Sequence, residues 1–305
     1  MRVVFMGTPD FAVPSLRCLA RDHEVCLVIT RPDAVRSRGK KLEPSPVKSC
    51  ALELGVPVHE ANRMDDETLQ LLRDAGADIF CVAAYGCILP DEVLTMCPGG
   101  CVNVHASLLP RWRGAAPIQR AILAGDDVAG VSIMRIGHGV DTGAYCAQAG
   151  VPVADKSADA LTMELAELGG ELLSSQLASI MDGTAEWVEQ DEALVTHAAK
   201  ISKSELWLDP ALSAEENRRH VLASSDAAPA RASVAGKTLR VMAAASCERS
   251  CSAGTYEREG KRVYVGCAAG SLELLEVKPD GKRAMPVSAW AAGLRDAAGT
   301  WERLS

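Results

Sequence analysis

Asn103 and His105 stand two positions apart in the run Asn103-Val104-His105-Ala106-Ser107-Leu108-Leu109-Pro110. On a strand, side chains at that spacing share one face. One is an amide that donates hydrogen bonds. The other is an imidazole, the side chain that titrates near neutrality. Such a pair can stabilise a developing oxyanion and manage a proton. A structural reading competes with this, in which an Asn and a His are simply satisfied at a strand terminus. Asp141 lies in Gly139-Val140-Asp141-Thr142-Gly143, where flanking glycines mark a constrained loop rather than a solvated face. A carboxylate brought beside an imidazole favours the imidazolium. An Asn, a His and an Asp suffice for acyl transfer without a nucleophilic Ser or Cys. His138 is near Asp141 in sequence and is read as structural.

Two further clusters carry charge. Six cations (Arg31, Arg36, Arg38, Lys40, Lys41 and Lys48) fall between 31 and 48 with only two acids. Phosphate contact needs such a local concentration, whatever the total charge. A solvated loop has the same composition. Arg111-Trp112-Arg113-Gly114 places an aromatic between two arginines, suited to stacking on a ring and holding a phosphate, or to a Trp lid on its own domain. Gly7-Thr8-Pro9-Asp10 follows the first strand but lacks the later glycines of GxGxxG, so it reads as a tight turn rather than a dinucleotide site.

These residues need a frame. Apolar runs at Arg2–Met6, Glu24–Thr30, Asp78–Tyr85, Gly100–His105 and Val131–Ile136 predict strands. Between them, Pro14–Arg21, Ser45–Leu54, Asp65–Ala75 and Ala115–Ala124 predict helices, and Lys156–Met181 predicts a long closing one. Strands alternating with helices imply an α/β domain with a parallel sheet, whose ligands bind at the carboxyl ends of the strands. After 230 the pattern changes to short strands with Gly turns and a strong Asp280-Gly281 signal, the mark of a small β-barrel or sandwich. We expect a catalytic domain over 1–186, a linker over 187–206 and a β-domain over 207–305.

The chain has 305 residues, enough for about two domains at roughly 150 each. Hydrophobic residues are 48% and charged residues 24%, which excludes a disordered chain. The formal net charge is −8, against nonspecific nucleic-acid binding by the whole surface. Residues 1–206 hold 18 cations and 28 acids, and 207–305 hold 14 and 12, so the acidity belongs to the first part. The 11 cysteines include no CxxC and no His at zinc spacing, so they read as small buried hydrophobes, with no metal expected. The apolar run after Arg2 ends at Asp10, too short for a signal-peptide core, and the uncharged stretch Val93–Pro110 is broken by Gly and Pro. A cytoplasmic protein with no membrane partner is expected.

Several strings together resemble the methionyl-tRNA formyltransferase family. They are Val4 through Ala12, Arg38-Gly39-Lys40-Lys41-Leu42 with Pro44 through Lys48, Ala84-Tyr85-Gly86 with Ile88-Leu89-Pro90, Asn103 through Gln119, Val140-Asp141-Thr142-Gly143, and Pro279-Asp280-Gly281-Lys282-Arg283. The resemblance implies a Rossmann-like formyltransferase domain with a C-terminal OB-like β-barrel. It implies transfer of the formyl group of 10-formyltetrahydrofolate, without a metal, to the α-amino group of initiator methionyl-tRNA. Asn103, His105 and Asp141 match the family's catalytic positions. Ser107, Leu108, Leu109 and Pro110 match its folate-contacting segment, Tyr85, Ile88 and Leu89 its pterin pocket, and Val140 is expected as a further cofactor-binding position. Arg38, Lys40 and Lys41 match the loop that grips the acceptor stem. The chain departs from the family near 224–232, where Ala228-Pro229-Ala230 replaces a Trp-Pro-Gly type of turn, and the helix Ala214–Leu222 before it is also atypical. Asn-x-His with a later Asp-x-Gly is shared by other formyl-tetrahydrofolate enzymes, so an amino-sugar nucleotide or glycinamide ribonucleotide remains an alternative acceptor. A non-catalytic RNA-binding protein on the same fold is the third reading.

Overall fold

Val3, Val4, Phe5 and Met6 are completely buried, as befits a strand covered on both faces, and they form the centre of the first sheet. The structure is a computed structural model and describes residues 1–35 and 42–304. Within these the chain divides into two compact units, one of Met1–Pro117, Val128–Pro152 and Thr162–Ala198, the other of the remainder.

The first unit is built on a seven-stranded sheet. Its strands are β1 (Arg2–Gly7), β2 (Glu24–Thr30), β3 (Val58–Glu60), β4 (Ile79–Ala83), β5 (Cys101–His105), β6 (Val128–Arg135) and β7 (Tyr145–Pro152). Their order is β7-β6-β5-β4-β1-β2-β3. The chain winds outward from β1 to β3, then returns to the other side through β4 and β5. That reversal is the topological switch point at which such sheets bind ligands. The five strands β1 to β5 are parallel, but β6 runs antiparallel to both β5 and β7. This differs from the all-parallel expectation. β6 and β7 are joined by the short 136–144 loop with no crossover helix, and only antiparallel neighbours can be joined that way.

The helices start where their caps place them. Ser45 accepts the Lys48 N–H at 2.9 Å ahead of α2 (Pro46–Glu53), and Asp65 accepts the Thr68 N–H at 3.1 Å ahead of α3 (Asp66–Asp74). Before them, α1 (Val13–Asp22) carries Pro14 in its first turn and buries Leu16 and Leu19. α4 (Pro117–Ala124) follows the Asn/His strand. The long α5 (Ala158–Met181) reaches the sheet through Gly169, where a Cβ would lie 2.6 Å from Val104 Cγ1. The turn after β1 is held by packing: a Cβ on Gly7 would meet Ala12 Cβ at 2.8 Å and the Ala83 carbonyl at 2.9 Å.

The second unit contains α6 (Ala214–Leu222), with a capping box between Ser213 and Glu216, and a closed antiparallel barrel. Its six strands are β8 (Arg231–Val234), β9 (Lys237–Cys247), β10 (Thr255–Glu259), β11 (Arg262–Gly266), β12 (Ser271–Pro279) and β13 (Ala298–Glu302). They run in the order β9-β8-β13-β10-β11-β12, and the β9–β12 pairing closes the ring. Ala235 and Gly236, both at positive φ, make the tight turn between β8 and β9. Trp301 is 2% exposed in the core and donates its indole N–H to the Gly266 carbonyl at 2.7 Å. No helix among the described residues is long and apolar enough to cross a membrane.

Candidate active site

β5 ends at His105, which is 6% exposed. Its Nε2 lies 2.9 Å from the Trp112 carbonyl. A carbonyl only accepts, so this network assigns a proton to Nε2. The opposite nitrogen, Nδ1, is 3.6 Å from Asp141 Oδ2. That is beyond hydrogen-bond range. Both ring nitrogens therefore face oxygen atoms, the Trp112 carbonyl within hydrogen-bond range and the Asp141 carboxylate just beyond it. Asn103 sits two residues earlier, half-buried, and its amide has no hydrogen-bond partner among the described residues.

Asp141 is held in an unusual conformation, at φ +54°. The left-handed region is disfavoured for a residue with a Cβ, so the surroundings must impose it. Gly114 donates its N–H to Asp141 Oδ2 at 2.9 Å. Gln190 donates from Nε2 to the carbonyls of Asp141 at 2.9 Å and Gly143 at 2.7 Å. Gly143 itself presses on β6, since a Cβ there would lie 2.0 Å from the Arg135 carbonyl.

The segment Trp112–Gly114 thus touches both members of the pair. It is itself anchored from 196–198. The Trp112 N–H donates to Thr196 Oγ1 and the Arg113 N–H to the Thr196 carbonyl, each at 2.9 Å. Arg113–Gly114 also pairs in parallel with His197–Ala198. The Arg-Trp-Arg string does not offer two arginines to a phosphate. Arg113 is 5% exposed and turned inward, with Nε on Gln190 Oε1 at 2.8 Å and Nη2 on Glu192 at 2.9 Å. Arg111 stacks on its own Trp112, 4.4 Å from the ring centroid.

The remaining candidates divide in two. Ser107 and Leu109 are buried in a tight turn. Ser107 Oγ donates to the Arg111 carbonyl at 2.7 Å, and Leu109 donates its N–H to Ser132 Oγ at 3.1 Å while its carbonyl accepts from Gln148 Nε2 at 2.9 Å. Leu108 packs beside β6, where a Cβ on Gly130 would meet its Cδ2 at 2.4 Å, and the Leu109–Pro110 bond is cis. Tyr85 is a core residue that donates its hydroxyl to the Ala61 carbonyl at 3.2 Å, and burial raises its pKa. Ile88 and Val140 are the reverse, apolar side chains 91% and 74% exposed. His138 Nδ1 is 3.1 Å from Asp91 Oδ1, which brings the loop of Val140 to the helix start that follows Ile88 and Leu89. Ile88 and Val140 are thus exposed apolar side chains on loops that the His138–Asp91 contact joins.

Of the basic stretch, Arg38, Lys40 and Lys41 lie outside the described residues. Lys48 is engaged by Asp33 at 2.8 Å and Glu60 at 2.9 Å, which raises its pKa, and Arg31 donates to the Gly86 carbonyl at 2.9 Å. No group of three or more His, Cys, Asp or Glu among the described residues could hold a metal ion. Sequence reasoning missed Gln190, the Gly114 N–H and the Trp112 carbonyl. Two are backbone groups and the third is a Gln in an irregular stretch, so no residue pattern marks them.

The family described as "Formyl transferase" matches residues 1–177, and "Formyl transferase, C-terminal domain" matches 200–295. The chain is 43% identical over 288 residues to the methionyl-tRNA formyltransferase of Methylobacillus flagellatus, covering 93% of this chain and 94% of that one. It is 44% identical over 290 residues to that of Methylococcus capsulatus, again covering 93% and 94%. Among solved structures, the N-formyltransferase of Helicobacter canadensis, in complex with folinic acid and dTDP-3-aminofucose, superposes with a TM-score of 0.68. That match covers 90% of this chain and 99% of the other at 18% identity, and shows a shared fold.

Proposed function

The chain belongs to the formyl transferase family, among its methionyl-tRNA formyltransferases, and we propose that it formylates the α-amino group of initiator methionyl-tRNA with 10-formyltetrahydrofolate. The products are formylmethionyl-tRNA and tetrahydrofolate. The observation that carries the site assignment is the His105–Asp141 contact at 3.6 Å beside the unpartnered amide of Asn103.

Attack of the amine on the formyl carbon places negative charge on the formyl oxygen and positive charge on the nitrogen. Asn103 has donors that no protein group among the described residues claims, so it is the residue to meet the oxyanion. His105 is oriented by the Trp112 carbonyl and supports that charge from the same face of β5. Asp141 faces His105 Nδ1 and takes up the amine proton, directly or through water. Collapse breaks the bond from the formyl carbon to the folate nitrogen, which leaves with a proton. Ile88, Leu89 and Val140 offer apolar surface to the pterin, and Tyr85 supports their loop from the core. The turn Ser107-Leu108-Leu109-Pro110 shapes the folate side with its backbone. Residues 1–186 hold the catalytic groups, 187–206 continue from them with 187–198 still inside the first compact unit, and 207–305 assist Arg38, Lys40 and Lys41 in holding tRNA. Both substrates belong to the translating cytoplasm.

The test offers purified protein and 10-formyltetrahydrofolate three acceptors: methionyl-tRNA, an amino-sugar nucleotide and glycinamide ribonucleotide. Formylation of methionyl-tRNA alone is expected. Formylation of a small acceptor but not of methionyl-tRNA overturns the reading. Asn103→Ala is expected to lower kcat by about 10²- to 10³-fold, the usual cost of losing an oxyanion donor. His105→Ala should be nearly inactive with an unchanged circular dichroism spectrum. Near wild-type turnover in His105→Ala removes the site assignment.

A further inference from the structure

Gln190 uses every polar group of its side chain on the Asp141 loop and its support. It is 9% exposed. Its Oε1 faces Arg113 Nε at 2.8 Å. A guanidinium only donates, so this atom is the oxygen and the amide orientation is settled. The two protons on Nε2 then go to the carbonyls of Asp141 at 2.9 Å and Gly143 at 2.7 Å. Arg113, 5% exposed, is fixed in turn by Glu192.

The bonds close a ring around the His–Asp pair. Trp112 holds the imidazole through its carbonyl, and Gly114 holds the carboxylate through its N–H. Arg113, between them in sequence, holds Gln190, and Gln190 holds the backbone of Asp141 itself. Asp141 stays at φ +54° only while its neighbours impose it. Without Gln190 its backbone is free to relax, which turns the carboxylate away from the Gly114 N–H and from Nδ1.

We propose that Gln190 is a positioning residue for formyl transfer, clamping the Asp141 loop so that its carboxylate stays on His105. The inference rests on the reading of Asp141 and His105 given above. It assigns catalytic support to a stretch that leads out of the catalytic part in sequence.

Three variants test it: Gln190→Leu, Gln190→Glu and Asp141→Asn, with Gln190→Leu/Asp141→Asn as the double. Gln190→Glu keeps the size and the acceptor for Arg113 but, ionised, has no proton for the two carbonyls, and its circular dichroism spectrum and thermal midpoint check that it folds. Both Gln190 variants are expected to lose about 10- to 100-fold in kcat, as loss of an outer orienting partner does, with KM for folate and methionyl-tRNA within about threefold of wild type. In the Asp141→Asn background, Gln190→Leu should cost no more than about twofold, because both changes remove the same function. Wild-type kcat in Gln190→Glu overturns the inference. So do losses that multiply in the double variant, or a defect confined to KM and thermal midpoint. Wild-type kcat in Asp141→Asn overturns instead the reading of the site on which the inference stands.

Discussion

At the scale of single residues, the placement of the Asp141 carboxylate depends on what Gly143 lacks. A Cβ at 143 would come within 2.0 Å of the Arg135 carbonyl, a backbone atom of β6 that cannot swing aside. β6 is tied down at that point, since the Arg135 N–H donates to the Ala144 carbonyl at 2.9 Å. The loop must therefore yield, and Asp141 moves with it. On the catalytic role proposed for Asp141, Gly143→Ala is expected to lower kcat by about 10²-fold, the cost of displacing such a group by roughly an ångström. Gly137, in the same loop, has no atom within 4 Å of its virtual Cβ. Gly137→Ala is the control and should leave kcat within about twofold. Equal losses in the two variants, by steady-state kinetics, would show that loop flexibility matters rather than the close approach at 143.

At the scale of elements, β5 serves both site and core. Asn103 and His105 share the site face, and Val104 between them projects to the other side, where α5 lies against it. Gly169 makes that approach close, with only 2.6 Å from its virtual Cβ to Val104 Cγ1. Gly169→Leu overpacks the interface, and overpacking a core typically costs about 1–3 kcal/mol. The expected result is a lower denaturation midpoint together with reduced kcat, because the helix can regain room only by displacing the strand that carries the Asn/His pair. An unchanged midpoint and kcat would mean that α5 moves away without consequence. The same strand marks how far the sequence was legible. β1, β2, β4 and β5 were readable because buried parallel strands are unbroken apolar runs. Tyr145–Pro152 was not, since this edge strand carries no sustained apolar run and contains Gly150 and Pro152, which weaken a strand pattern. Asn103, His105 and Asp141 stand out as candidates by their chemistry and the glycines around Asp141, and the structure brings His105 and Asp141 within 3.6 Å. Their supports were not: Gln190 acts across 49 positions, and Arg113, whose string suits a phosphate site or a Trp lid equally, is drawn inside by Gln190 and Glu192.

At the scale of the whole molecule, a chain of formal charge −8 must hold a polyanion. Uniform attraction is ruled out, so binding has to come from local groups of cations that no carboxylate already neutralises. In the barrel unit many arginines are paired: Arg249 with Glu257 and Glu259, Arg262 with Glu273, Arg231 with Asp280. Lys282 and Arg283, beyond the Asp280-Gly281 turn, have no acidic partner among the described residues and lie in the part proposed to assist tRNA binding. In the 31–48 stretch, Lys48 and Arg31 are engaged by the protein, and in sequence Arg36, Arg38, Lys40 and Lys41 form the densest basic run. Removing one cation that sits on a phosphate should reduce the salt slope of tRNA binding by about one. Lys40→Ala/Lys41→Ala is therefore expected to raise KM for methionyl-tRNA, to flatten the plot of log KM against log salt by about two, and to leave kcat and the folate KM within about twofold. Lys282→Ala/Arg283→Ala reports on the barrel by the same measure. A flattened slope there assigns it a share of the RNA, whereas an unchanged slope confines phosphate binding to the first unit. An unchanged slope in the 40/41 variant with a full effect at 282/283 would reverse the assignment, because the counterions released must then come from the barrel.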